Sequence, residues 1–412
     1  MLLQFSEIFI REIMSGHRTF ILTILIGYLA VSCVERYYPD MEADSSSRIV
    51  VDAVINDQDS IQQVRLSKTS PPFYPKILPL TGCTVTINDI QNNEFRFQEL
   101  SGQPGVYEGI IDKSALQIGN KFRLHFSTSS GEEYESGYEE LLPCPPVDSV
   151  YYEVKSVLTN DPDVDLDGAQ FYLDFKAPEN YGRYYRWQID ETWEYHSTFK
   201  IRMYYAASEN NPWVGKIYKV IIDSLFCCYK IQTVDDIFVL STTGLVENSC
   251  RKYKLHFVDD HTQKLMFKYS LLIKQYSISE NAYYYWAGLD KNNQESGGLF
   301  DRQPEMVKSN VINTGNSGEV VLGYFSVSSK RTKRIIISDI RGLYFRDVPW
   351  CKASKLTQDF LRYSTREEWP IYLVMVWDAV EDDFVLGTAP PECFDCRLLG
   401  GTTKKPDYWD EE

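Results

Sequence analysis

The chain has 412 residues, 43% of them hydrophobic, so a real core can form and there is length for two or three domains. Its formal net charge of −16 argues against a nucleic-acid binder, whose phosphates demand a basic face, and against a protein lying flat on anionic lipid. Aromatic content of 14%, with 29 tyrosines, favours pleated, half-buried surfaces.

In chain order the first feature is an export signal. Arg11, His17 and Arg18 form a basic region, followed by the apolar run Phe20–Ala30. That run of about a dozen residues is too short to cross ~30 Å of hydrocarbon, which needs ~20 residues. It fits a cleavable signal over residues 1–32, with Met14 as an alternative start to Met1. The competing readings are an ordinary signal peptide with a chance cysteine and an uncleaved anchor helix. Leu29-Ala30-Val31-Ser32 before Cys33 resembles a bacterial lipobox, with the leucine one place further back than usual. Cys33 is therefore the expected lipid attachment site. Each buried CH₂ of an acyl chain contributes ~0.8 kcal/mol, so a multiply acylated cysteine holds firmly. Val34–Ser47 is acidic and serine-rich and reads as a flexible tether.

Short alternating strands follow: Arg48–Asn56, Gln62–Lys68, Cys83–Asn88, Glu94–Glu99, Val106–Ile111, Lys121–Ser127 and Tyr134–Tyr138. Turns rich in Gly, Asn and Pro separate them, which predicts an N-terminal Ig-like β-sandwich over 48–144. In Lys121–Ser127, Phe122, Leu124 and Phe126 share the inward face. Pro143, Pro145 and Pro146 read as a linker to a larger β-rich, sandwich-like domain over 147–412. Its strands are expected at Val147–Val154, Gln170–Phe175, Tyr184–Ile189, Glu194–Tyr205, Lys216–Ile222, Arg251–Val258, Leu265–Ile278, Glu319–Ser326, Lys333–Ser338 and Ile371–Trp377. One inserted helix is expected over 277–291, with Ser277 and Glu280 at capping-box spacing and Ala282, Trp286 and Leu289 on one face. A short helix is expected within Ser354–Tyr363.

Nine cysteines are present, and Cys33 is assigned to lipid. The other eight, Cys83, Cys144, Cys227, Cys228, Cys250, Cys351, Cys393 and Cys396, suit disulfides in an exported chain. The expected pairs are Cys83 with Cys144, Cys250 with Cys227 or Cys228, and Cys351 with Cys393 or Cys396, stapling a C-terminal cap. Zinc at Cys393-Phe-Asp-Cys396 lacks a second ligand pair.

Asp163, Asp165, Asp167 and Gly168 match the first half of a calcium loop, with Asp174 at the twelfth position, and Asp161, Asp163, Asp165 and Asp167 alone would make a weaker site. The strand through Gln170–Phe175 would carry Asp174 away, since six extended residues travel ~20 Å at ~3.3 Å each. An acidic solvated turn is the plainer reading, with a structural calcium on the four aspartates as the alternative. Tyr185, Trp187, Trp193 and Tyr195 cluster and could stack on a glycan or peptide, although alternation turns half of such residues into a core. The histidines after the signal, His125, His196, His256 and His261, show no nucleophile-activating pattern, and no Gly-x-Ser-x-Gly elbow occurs. No catalytic residue is assigned.

The order VVDAVIND, GCTVTINDIQNNEF, PGVYEG, LLPCPPVDSVYYE, YYRWQIDETWEY, SGGLFDRQPEMV, VLGYFSV and CFDCRLLGGTTKKPDYW resembles a Bacteroidota lipoprotein family known only as domain of unknown function 4249. The likeness runs from about Cys33 to Trp409. It implies an exported, lipid-anchored outer-membrane protein facing the cell surface, with the periplasmic face as the alternative. It further implies a non-enzymatic accessory or binding partner of a SusC-like, TonB-dependent barrel. The alternative role is structural or in assembly within an outer-membrane complex, such as barrel or surface-lipoprotein biogenesis. An envelope hydrolase ranks last, and the family supplies no catalytic motif to transfer.

Overall fold

A computed structural model describes residues 47–70, 76–158, 165–211, 214–294, 306–345, 351–364 and 366–410. The signal, Cys33 and the tether to Ser46 lie outside the described residues, as does the Gly297–Pro304 stretch of the GGLFDRQP motif. Among the described residues the fold is mainly β, with one long helix. Among the described residues no helix is long and apolar enough to cross a membrane.

The alternation read in the N-terminal segment is what builds the first sheet. Val51, Val64, Ile87, Phe122, Leu124 and Phe126 all point inward and are fully buried. Strand Glu94–Glu99 pairs with Thr84–Asp89 on one side and Val106–Ile110 on the other, so eleven strands form one continuous, folded sheet around this core. Both ends of the sheet come from far down the chain. Val311–Asn313 pairs antiparallel with Glu133–Ser136, and Leu322–Ser328 lies parallel to Ile49–Asn56. Val311, Val321, Phe325 and Val327 join the same core. The sandwich is thus not complete at Cys144. A parallel neighbour needs a crossover rather than a hairpin, and here the crossover contains most of the remaining protein.

The parallel pairing depends on Gly323. Its φ is +86°, and a Cβ there would stand 1.9 Å from the Val51 carbonyl oxygen. Gly323→Ala is therefore expected to destabilise by more than ~1 kcal/mol, because both the conformation and the contact reject a side chain. Urea denaturation would check this; an unchanged midpoint would contradict the pairing.

A second core lies between a three-stranded sheet (Ser149–Leu158, Asp165–Lys176, Ser249–Asp259) and a five-stranded one (Cys227–Thr233, Tyr184–His196, Phe238–Ser241, Lys268–Ser277, Lys330–Ser338). A fourth sheet, also of five strands, contains Ile201–Ala207 and Ile371–Asp378 and packs on the C-terminal cap through Ile201 and Phe394. The expected strand Glu194–Tyr205 divides here. The chain stays in one sheet to His196, turns through Ser197–Lys200, and enters another sheet at Ile201.

The proline segment 143–146 is not an open linker. Cys144 is buried, and the Gln275 amide donates to the Pro145 carbonyl at 2.7 Å. The long helix spans Glu280–Gln294, and its N-cap is Ser279, not Ser277: Ser279 Oγ accepts from the Ala282 amide at 3.2 Å. Ser277 still belongs to the preceding strand, and its hydroxyl is buried without a partner among the described residues. The short helix spans Gln358–Tyr363, capped by Thr357.

Two disulfides staple the C-terminal cap, Cys228–Cys396 and Cys351–Cys393. Cys351 does pair with the terminal motif. The other expected pairs do not form: Cys83, Cys144, Cys227 and Cys250 are free thiols. With Cys393 and Cys396 both oxidised, that motif is not a zinc site.

Candidate functional site: a polar cleft at Arg186

The aromatic cluster expected as a binding face is core. Tyr185, Trp187, Trp193 and Tyr195 are all buried in the second core, with at most 7% exposure. Tyr185, Trp187 and Tyr195 fall on the inward alternation of Tyr184–His196, and their polar atoms are used internally. Tyr185 Oη donates to the Gly182 carbonyl at 2.7 Å, Trp187 Nε1 to Gln275 Oε1 at 2.8 Å, and Tyr195 Oη to the Cys396 carbonyl at 2.8 Å. Of the four aspartates read as a calcium site, two are among the described residues. Asp165 and Asp167 lie inside the Asp165–Lys176 strand, and Asp161 and Asp163 lie outside the described residues. His256 sits 3.5 Å from the buried Glu191 carboxylate, which also accepts from Tyr269 and Lys264. Burial alone would raise the Glu191 carboxyl, but His256 and Lys264 outweigh it and hold it below its ordinary value.

The feature with unspent binding capacity is on the opposite, outward alternation of these strands. Val51, Ala53 and Ile55 face the first core, so Asp52, Val54 and Asn56 face away from it. Tyr185, Trp187 and Ile189 face the second core, so Arg186 and Gln188 face away from that. The two outward faces meet, and between them lies a cleft of about 500 Å³ whose wall also includes Arg65, Tyr276 and Trp286. Trp286 comes from the helix, whose position is fixed by Ser279 at its start and by Tyr184 Oη donating to Glu280 Oε1 at 2.7 Å.

Arg186 dominates this cleft chemically. Its guanidinium lies over the Trp286 ring, 3.7 Å from the centroid. A cation held on an indole face keeps its edge N–H groups free for other partners. Among the described residues it makes no hydrogen bond and no ion pair. Burial pulls its pKa down from the ordinary arginine value, with Tyr276, Asp52 and Tyr285 acting in the opposite direction. An arginine so placed stays cationic. The Trp286 indole N–H is buried without an acceptor among the described residues. At one end the cleft is clamped: Asp59 accepts from Lys330, and Asp57 takes the Lys330 amide at 2.9 Å and Arg331 at 3.0 Å. Among the described residues, those bonds leave Arg65 and Arg186 as unpaired cations of the cleft.

In the sequence Arg186 is hidden by the aromatics on either side of it. The signal was present: an arginine on the polar phase of an otherwise aromatic strand, YYRWQI. Its stacking partner lies 100 residues away on the helix, which no local pattern encodes.

Among curated proteins none matches this chain. A family model does match, over residues 34–334, which takes in every wall of the cleft and stops before the disulfide-stapled cap. The chain therefore belongs to the family described as Domain of unknown function (DUF4249).

Proposed function

We propose that the protein is an exported, non-enzymatic binding protein, anchored to the outer membrane through Cys33 and facing the cell surface. Its cleft takes a carboxylate-bearing solute, such as a uronic acid or a peptide C-terminus, for a TonB-dependent barrel. The observation that carries the ligand assignment is the Arg186 guanidinium, stacked on Trp286 with no acceptor among the described residues. A planar guanidinium fork matches a carboxylate bidentately. Asp52, Asn56, Gln62 and Gln188 line the same space and supply partners for hydroxyls or an ammonium group. The anchor and partner rest on the lipobox-like sequence before Cys33 and on the family resemblance.

Calorimetric titration of the mature protein with uronic-acid oligosaccharides and short peptides tests the cleft. Arg186→Ala should weaken the bound probe by about 1.5–3 kcal/mol, roughly 10- to 150-fold. Arg186→Lys should fall between, since it keeps charge and loses the fork. Equal affinity in wild type and Arg186→Ala would refute the site. Affinity purification from membranes tests the partner: a TonB-dependent barrel supports the proposal, and recovery of barrel-insertion machinery instead would move the protein to assembly.

A further inference from the structure

A second cluster stands apart from the cleft, where the Tyr184–His196 and Cys227–Thr233 strands pair antiparallel. His196 is opposite Cys227, and Glu194 is opposite Tyr229. Residues two apart share a face of a strand, and cross-strand partners face the same way. Glu194, His196, Cys227 and Tyr229 therefore point to one side, while Tyr195 and Cys228 point into the core. A carboxylate oxygen of Glu194, a ring nitrogen of His196 and the Cys227 sulfur all lie within 4.8 Å of one another. Cys227 is a free thiol although its neighbour Cys228 is oxidised.

The cluster is also held in position. His196 Nε2 is 2.9 Å from Glu194 Oε1, and the ring is packed by Phe226 and Phe267 at 4.8 and 3.8 Å between centroids. Glu194 Oε2 accepts from the Trp409 indole at 3.1 Å. Trp409 is buried, packs edge-on against Tyr229 at 5.3 Å, and its carbonyl accepts from Lys268. The C-terminal cap thus closes over the cluster and orients its carboxylate from outside.

We propose that Glu194, His196 and Cys227 form a binding site for a borderline-soft divalent metal, zinc by its donor set. One thiolate, one imidazole and one carboxylate suit zinc rather than calcium or magnesium, which take oxygen alone. Tetrahedral donors at 2.0–2.3 Å from zinc stand roughly 3.3–3.8 Å apart, so closure needs movements of about 1 Å. Zinc displaces the Cys227 proton, takes the imidazole nitrogen now bonded to Glu194 or its ring partner, and leaves one position for water. Trp409 then serves as the outer hydrogen-bond donor to the liganding carboxylate.

Cobalt(II) and zinc(II) titrations of the mature protein, with disulfides intact, test this. Wild type should bind one equivalent and show a thiolate-to-cobalt charge-transfer band. Cys227→Ser should abolish that band, His196→Gln should weaken zinc by more than about 100-fold, and Trp409→Phe should weaken it roughly tenfold. Melting curves of the metal-free proteins establish that each variant folds, and two independent ligand variants guard against one that does not. Failure of wild type to bind zinc, or a band retained in Cys227→Ser, would overturn the site and leave the Arg186 cleft untouched.

Discussion

Trp187→Ala should cost about 3–5 kcal/mol of unfolding free energy, while a surface change stays within ~0.5 kcal/mol. Trp187 is 1% exposed and is packed by Tyr253, Phe175 and Tyr185 at 4.4, 5.9 and 6.4 Å between centroids. Removing the indole leaves a cavity that the two sheets cannot fill, because each is held by its own ladder. It also strips Gln275 Oε1 of its donor, in a place where Gln275 is fully buried and ties down Pro145. An orphaned buried acceptor adds ~1–3 kcal/mol. Trp187→Phe should recover most of the volume but not the hydrogen bond. Urea denaturation reads all three. A Trp187→Ala protein with wild-type stability would return Trp187 to the binding face that its sequence neighbourhood suggested.

Breaking the Cys228–Cys396 bond should be nearly as damaging. The bond ties residues 168 apart in sequence, so it removes far more freedom from the unfolded chain than Cys351–Cys393, which ties residues 42 apart. Cys228→Ser with Cys396→Ser should cost about 2–5 kcal/mol, and about 1 kcal/mol more than the corresponding Cys351 and Cys393 pair. Cys228 is fully buried in the second core, and the cap it holds carries Trp409, so the cap should become accessible to protease in the same variant. Limited proteolysis with mass-spectrometric mapping of the fragments would show it. Equal stability of the two double variants would mean that the cap is held by packing alone.

What was legible in the sequence is what has a short period. Phe122, Leu124 and Phe126 are inward because alternate residues of a strand must be, and no distant contact is needed to see it. The helix is visible from its apolar spacing, but the capping-box spacing points to Ser277 where the cap is Ser279. Both precede Glu280, and the preceding strand, which runs to Ser277, decides between them. Pairing across the chain was not legible. Nothing local in Leu322–Ser328 says that it lies parallel to Ile49–Asn56, and nothing in the spacing of Cys83 and Cys144 says that they stay apart. The same reason hid both candidate sites. Arg186 meets Trp286, and His196 meets Cys227, only after the sheets are built.

The most direct measurement is the intact mass of the N-terminal fragment of the protein recovered from its native membranes. The account predicts a chain that begins at Cys33, carries acyl groups on that residue, and partitions with the outer membrane. A bare Cys33 thiol, or a chain still joined to Ser32 and found in the soluble cytosolic fraction, would contradict it.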